Sequence, residues 1–356
     1  LLRIPVRGGG NLPEGNLTIS LEVEGDRGGK ARDEVTVIIR SETDPDEQIL
    51  EFEDPNFLEA LLVVKEIEIY NHPSGFTTVK QDVDENRDGQ ISIGEAKKVK
   101  ALILYNQETD RGYNITSMPE IKYFTSLTHL RCDGNLLTAL DVSECSALMN
   151  LDCSNNQLTS INISGLKSLQ YLTCGHNDLE TIDASGCTGL VSVTCYDNQL
   201  AKLDFSESLA LEVLYCSENQ LTSLDLSGYS ALTHLDCVNN SLTVLDLSGC
   251  SALRNLACYY NALTALDCSD CVALTSNYCN GNQLSSLNLS GCAALKDFSC
   301  RDNQLTRLDV SECSALQECW CQNNQLTALT VSDAQQNQPW IDWIKDWYPA
   351  IEIIVK

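Results

Sequence analysis

The sequence predicts a solenoid of stacked coils, each adding one short strand to a parallel sheet. Three observations carry that expectation. A cysteine recurs every 21 residues from Cys132 to Cys321, ten times in unbroken register. An asparagine follows each cysteine by three residues, giving Asn135, Asn156, Asn177, Asn198, Asn219, Asn240, Asn261, Asn282, Asn303 and Asn324. Leucines keep the same step from Leu127 to Leu316, as do serines from Ser143 to Ser332. A strict period of this length marks a repeat architecture in which no unit can bury its apolar face alone, so that stacking supplies the core.

Ahead of the repeats, residues 1–50 read as a small β unit and an acidic linker. Asn16 to Glu24 and Glu34 to Arg40 alternate polar and apolar side chains on either side of a turn at Gly28 and Gly29. Ser41 to Asp54 holds seven acids and no base, a composition expected of a solvated boundary. Residues 51–114 read as a helical cap. Asp54 and Pro55 suit the start of a helix running through Phe57, Leu61 and Leu62, because proline's fixed φ is preorganised for a first turn.

A calcium loop is written into this cap. Asp84, Asn86, Asp88, Gly89, Gln90, Ile91, Ser92 and Glu95 fill positions 1, 3, 5, 6, 7, 8, 9 and 12 of an EF-hand-like loop. Alternating oxygen donors can converge on one hard cation. Glycine permits the sharp turn, Gln90 offers its backbone carbonyl, and Glu95 can bind through both oxygens. The expected ligands are Asp84, Asn86, Asp88, Gln90, Ser92 and Glu95, with calcium in a structural role. Glu95 to Leu104 is expected to form the following helix. The preceding flank is interrupted between Asn71 and Gly75.

Residues 115–333 hold about ten full repeats after a degenerate first one. Leu130 and Cys132 and their equivalents point inward, whereas His129, Arg131 and Asp133 and their equivalents point outward. At a strand spacing of about 4.8 Å, ten turns make a slab roughly 43 Å long. The asparagine at each strand end is placed to donate to backbone carbonyls of adjoining turns, groups that an irregular corner leaves unpaired.

Eighteen cysteines suggest a disulfide framework. For the ladder this fails on geometry, because registered side chains on neighbouring parallel strands keep their Cβ atoms nearly 4.8 Å apart, while a bridge needs about 3.8 Å. Free thiols acting as small hydrophobes are expected. An incomplete second column, Cys145, Cys187, Cys250, Cys271, Cys292 and Cys313, alternates with Leu166, Ser208 and Tyr229 and suits a semi-buried packing slot. Cys268 and Cys271 form a lone CxxC without the second pair that zinc requires.

Residues 334–356 leave the period and read as a C-terminal cap. Trp340, Trp343 and Trp347 share one helical face with Ile344, which suits covering the last turn, and Ile351 to Val355 is expected to add a final strand.

The turn LxxLxCxxNxLTxLDLSGCxA resembles the leucine-rich repeat family. The likeness is to its short, cysteine-containing 21-residue type, found in internalin J and in surface proteins of gut Bacteroidetes. Asp54 to Phe57 followed by the Asp84 to Glu95 loop is similar to the dockerin-like N-terminal cap of such Bacteroidetes proteins, although Glu66 to Gln81 is an insertion. The resemblance implies a parallel sheet on the concave side of a curved solenoid and short irregular or 3-10 segments on the convex side. It also implies an extracellular or bacterial cell-surface location, with a leader removed ahead of Leu1.

The formal net charge of -27, from 50 acids against 23 bases, makes nucleic acid and anionic membranes poor partners. No apolar run is long enough to cross a bilayer. Aromatic side chains recur at outward positions that the core does not demand: Tyr171, Tyr196, Tyr215, Tyr259, Tyr278 and Trp320, with Tyr260 at a strand end. His234 and Asp236 share that face, but His129, His176 and His234 lie on separate turns and cannot form one metal site. Ladder cysteines point inward while the histidines point outward, which removes a Cys/His catalytic pair. The expected function is non-catalytic: a protein ligand docks on the concave face, with adhesion as one use. The alternative is a surface glycan-binding protein that uses the exposed aromatics.

Overall fold

The computed structural model describes residues 45–63, 83–105 and 112–356 in full. For residues 15–24, 30–39, 66–71, 75–80, 106 and 111 it describes backbone alone. Gly15–Glu24 pairs antiparallel with Lys30–Ile39; Gly28, Gly29 and Arg40 lie outside the described residues.

The body is a parallel solenoid. Ala101–Ile103 starts an eleven-stranded sheet that continues through His129–Arg131, Asn150–Asp152 and Tyr171–Thr173 to Glu318–Trp320. Every pairing follows the repeat without slippage, so Leu130 faces Leu151, Leu151 faces Leu172, and Tyr215 faces Asp236. The inward leucines and cysteines form one continuous core from Leu50 in the cap to Ile344 near the C terminus. Each buried leucine contributes about 1.5–3 kcal/mol by leaving water, and every coil depends on its neighbours to provide that burial.

The opposite side adds short strands to the expected irregular segments, which are present as turns in each coil. It carries three- and four-residue strands in short parallel ladders: Ala139–Asp141 with Ser160–Asn162, Ser223–Asp225 with Val244–Asp246, and Ala265–Asp267 with Ser286–Asn288. The leucine before each aspartate is buried, so this side also packs inward. The aspartate or asparagine then accepts the amide of the residue two further on, as Asp141 does from Ser143, Asp225 from Ser227 and Asp309 from Ser311. That Asx turn gives the serine column its purpose. With two packed sides, the second cysteine column is fully buried rather than semi-buried. Its thiols donate to carbonyls of the preceding coil, Cys187 to Ile163 at 3.0 Å and Cys250 to Leu226 at 3.2 Å.

The asparagine column performs as its spacing implies. Asn219 donates through Nδ2 to the carbonyls of Cys195, Cys216 and Ser217 and accepts the Leu200 amide on Oδ1. The same set recurs from Asn156 to Asn324, and Asn135 extends it to the Leu104 carbonyl in the cap. All eighteen cysteines are buried free thiols.

At the N-terminal end, helix α1 spans Pro55–Val63 and α2 spans Ile93–Lys98. Asp54 fixes α1 to the first repeat: Oδ1 accepts the Asn56 amide, and Oδ2 accepts from Thr116 N and Oγ1 and from Ser117 N. One expectation is corrected here. Helix α2 ends at Lys98 instead of reaching Leu104, because Ala101–Ile103 is drawn into the sheet as its first rung beside His129–Arg131. The described part of the acidic stretch is exposed from Pro45 to Ile49 and buried at Leu50. Leu50 N donates to Ile91 O and Ile93 N to Gln48 O, which clamp it to the loop that begins at Asp84. The Glu66 to Gln81 insertion contains an antiparallel hairpin, Glu66–Asn71 with Gly75–Lys80, in place of a helix ahead of the loop.

At the other end, helix α3 spans Pro339–Trp347, and Glu352–Val355 adds the expected final strand to the opposite-side ladder. Trp340, Ile341 and Ile344 are buried against the last coil.

Candidate binding face

The outer surface of the eleven-stranded sheet collects the expected binding residues, because period two sends alternate side chains away from the core. Three outward columns run along it, headed by His129, Arg131 and Asp133. Beyond them, a fourth position repeats a left-handed backbone: Asn155, His176, Asp197, Glu218, Asn239, Tyr260, Asp302 and Asn323 have φ between 52 and 56°. Non-glycine residues rarely adopt this conformation. Here the next asparagine of the motif fixes it, and the side chains are thrown outward at the rim.

Of the aromatic residues expected on this face, Tyr171, Tyr215 and Tyr278 stand 38–39% exposed and Tyr260 60%. Tyr196, Tyr259 and Trp320 are half-buried. Tyr196 takes the His176 ring edge-on at 4.8 Å, and His176 Nδ1 pairs with Asp197 Oδ2 at 2.5 Å. Tyr259 and Tyr260 meet edge-to-face at 5.3 Å.

Trp320 is already engaged. Trp343 and Trp347 of helix α3 stack on it at 5.6 and 6.0 Å, and the Arg301 guanidinium lies 4.4 Å from its ring centre. The three cap tryptophans therefore divide: Trp340 seals the core, while Trp343 and Trp347 join the face. Helical periodicity groups them but cannot reveal that Trp320 lies within reach.

Charge on the face is uneven. Near the first rung, Arg131 forms a bidentate pair with Asp133 at 2.6 and 3.2 Å, and its guanidinium lies 4.5 Å from the Tyr105 ring centre. Burial lifts the Asp152 carboxyl above the ordinary aspartate value, opposed by its hydrogen bonds from Ser154. Burial also pushes the His129 pKa down. Midway along the sheet, His234 and Asp236 share one strand, and burial raises the Asp236 pKa. Asp236 accepts the Val238 amide at 3.1 Å, and His234 Nδ1 meets Thr233 Oγ1 at 2.9 Å. These contacts were not legible from residue type alone.

The Asp84 to Glu95 loop, expected to bind calcium, precedes the first rung of the sheet. Asp84 and Glu95 are buried, and Gly89 takes φ +81°, as the sixth loop position requires. The donors close on the loop's own amides: Asp84 accepts from Asp88 and Gly89, Asn86 from Asp88, and Asp88 from Gln90. Glu95 accepts from Ser92 N and Oγ at 2.8 Å while Ser92 Oγ accepts the Glu95 amide, a capping box that starts α2. Ser92 thus serves the helix, and Asp84, Asn86, Asp88 and Glu95 are the remaining side-chain oxygens of the expected ligand set. Among the described residues, no three His, Cys, Asp or Glu side chains already converge as a ligand set.

Comparison with solved structures places this geometry in a known group. The chain is similar to YopM, a leucine-rich effector protein from Yersinia pestis, with 24% identity over 73% of this chain and 78% of that one and a TM-score of 0.51. It is similar to the leucine-rich repeat domain of APL1B, with 21% identity over 69% and 79% of the two chains and a TM-score of 0.53. The functional domain of InlJ from Listeria monocytogenes, which includes a cysteine ladder, matches at 25% identity over 68% and 70%, with a TM-score of 0.36. No family model matches the chain, and no curated protein matches it.

Proposed function

On the premise that the chain is a leucine-rich-repeat solenoid of 21-residue turns, we propose that it is a non-catalytic binding protein that docks a protein partner on the outer face of its eleven-stranded sheet. One observation carries the reading. The inward columns are committed to the core, yet Tyr171, Tyr215 and Tyr278 stand exposed on rigid strands where stability does not require them. Rigid tyrosines lose little entropy on binding and are enriched at interface hot spots. The proposal extends to a role outside the cell or at a bacterial surface, with adhesion as one use.

Glycan capture is the second reading, and the same tyrosines favour it. Trp320, the broadest ring of the set, has Trp343 and Trp347 on it and Arg301 beside it, so it offers a sugar less free surface than its sequence position suggests. That favours the protein reading.

Calcium belongs to the proposal as a structural ion of the cap, held by Asp84, Asn86, Asp88, the Gln90 carbonyl and Glu95. It would supply charge neutralisation among buried carboxylates.

A photo-crosslinking residue placed at Tyr171 or Tyr215, and for contrast at Val244 or Val272 on the opposite side, tests the docking face. Adducts with a discrete protein from a host or microbial surface extract are expected from the first pair alone. Equal yields from both sides, or adducts only from Val244 and Val272, would overturn the choice of face. Binding on a glycan array that is lost in Tyr215→Ala and Tyr278→Ala would establish the second reading instead.

A further inference from the structure

Four residues occupy one outward column on consecutive rungs: Tyr215, Asp236, Ala257 and Tyr278. At about 4.8 Å per rung, Asp236 and Tyr278 stand about 10 Å apart with only a methyl group between them. The result is a notch floored by Ala257, with a carboxylate on one wall and a half-exposed phenol on the other. Tyr259, two residues past Ala257 and beyond the end of its strand, borders the strand-end side.

The charges around the notch are one-sided. The strands that build it present Val213, Tyr215, His234, Asp236, Asn255, Ala257, Ser276 and Tyr278, none of them a lysine or arginine. Asp297 and Glu318 approach from the Tyr278 side and, after burial, help raise the Tyr278 pKa. His234 is the one titratable base among those strands. Arg254 and Lys296 lie where their strands begin, one residue before the outward columns, and Arg301 is occupied with Trp320 and Gln322. The contrast with Asp152 is direct, since Arg131 stands on the rung beside it. Asp236 has no such neighbour. Its Oδ1 accepts the Val238 amide, and no described residue engages its second oxygen.

We propose that the Ala257 notch receives an arginine side chain from the docked partner, whose guanidinium pairs with Asp236 and stacks on Tyr278. A guanidinium is planar and always charged, and it donates in a fork matched to a carboxylate, while its face suits an aromatic ring. Lysine offers a point charge and no flat face. A neutral sugar hydroxyl could donate to Asp236 but would leave its charge uncompensated in a partly desolvated setting. The inference rests on the proposed docking face for the identity of its ligand as a protein.

The test is a titration followed through the ¹³C-methyl signals of alanine, read at Ala257. The probes are the peptides acetyl-Gly-Gly-Arg-Gly-Gly-amide and its lysine and citrulline counterparts, together with cellotriose. The arginine peptide is expected to bind at least tenfold more tightly than the citrulline peptide, which keeps the shape but lacks the charge. Asp236→Asn, which keeps the acceptor for Val238, is expected to weaken arginine binding at least tenfold. Ala257→Leu fills the notch and removes the reporter methyl, so binding to this variant is read by titration calorimetry with the same peptides; it is expected to be abolished, with adjoining alanine signals confirming an intact fold. Equal affinity for arginine and citrulline, full binding in both variants, or saturation by cellotriose alone would overturn the proposal. Flat titrations together with specific crosslinks at Tyr215 would remove the notch and leave the docking face standing. A specific arginine response without crosslinks would uphold the notch and overturn the docking face.

Discussion

A single asparagine illustrates how much one position holds in this molecule. Asn219 joins two coils through three donated contacts and one accepted, and its replacement strands carbonyls in a buried corner. Asn219→Ala is expected to lower unfolding free energy by about 2–4 kcal/mol, and Asn219→Asp by at least as much because a carboxylate would face three carbonyls; denaturant titration measures both. Asn277 is the opposite case. It sits fully buried in a leucine column, with Nδ2 only 3.6 Å from Cys268 Sγ and Oδ1 without a partner. Asn277→Leu is expected to raise stability by about 1–3 kcal/mol, read as a shifted denaturation midpoint. The thiols set an alkaline limit. Burial pushes Cys195 and Cys279 up to about 12, whereas unfolded thiols ionise near about 8.5. Between those values the unfolded chain binds fewer protons, so stability is level below about pH 8.5 and falls as pH rises toward 12. Denaturation midpoints at pH 7 and pH 10 check this, and a variant with Cys195 and Cys279 replaced by alanine is expected to show a shallower fall.

At the scale of elements, the two caps solve the problem that every open stack faces, an apolar end with unpaired edges. Helix α3 closes one end with Trp340, Ile341 and Ile344. Trp340→Ala is expected to cost about 3–5 kcal/mol and to loosen the last coil first, seen as early loss of hydrogen-exchange protection around Leu326 to Val331. Trp343→Ala removes only the exposed partner of Trp320 and is expected to leave stability nearly unchanged. The presence of this helix was readable from the amphipathic spacing of its tryptophans. Its contact with the sheet face was not, because Trp320 and Trp343 are brought together only by the path of the chain between them. The short α2 shows the same limit: Glu95 to Leu104 has a helical composition, yet pairing with His129–Arg131 takes Ala101–Ile103 into a strand.

For the whole molecule, contacts between neighbouring coils carry stability, so what orders the first rung supports those that follow. The loop proposed to hold calcium leads through α2 into Ala101–Ile103 and is clamped by Leu50 to Ile91. Millimolar calcium is expected to raise the melting temperature and to release binding heat in calorimetry. Asp84→Ala with Glu95→Ala is expected to abolish both, while the same calcium shift persisting in that variant would exclude this loop as its source. Sequence alone determined the period, the strand register, the inward thiols and the bonding asparagines, because in a stacked coil each of these depends on local spacing. Tertiary structure decided which outward rings remain free, that the opposite side is also a packed wall, and that Asp236 lacks the cation Asp152 has. These properties depend on what the neighbouring coils and caps place alongside a residue, and a repeat written along one dimension does not contain that information.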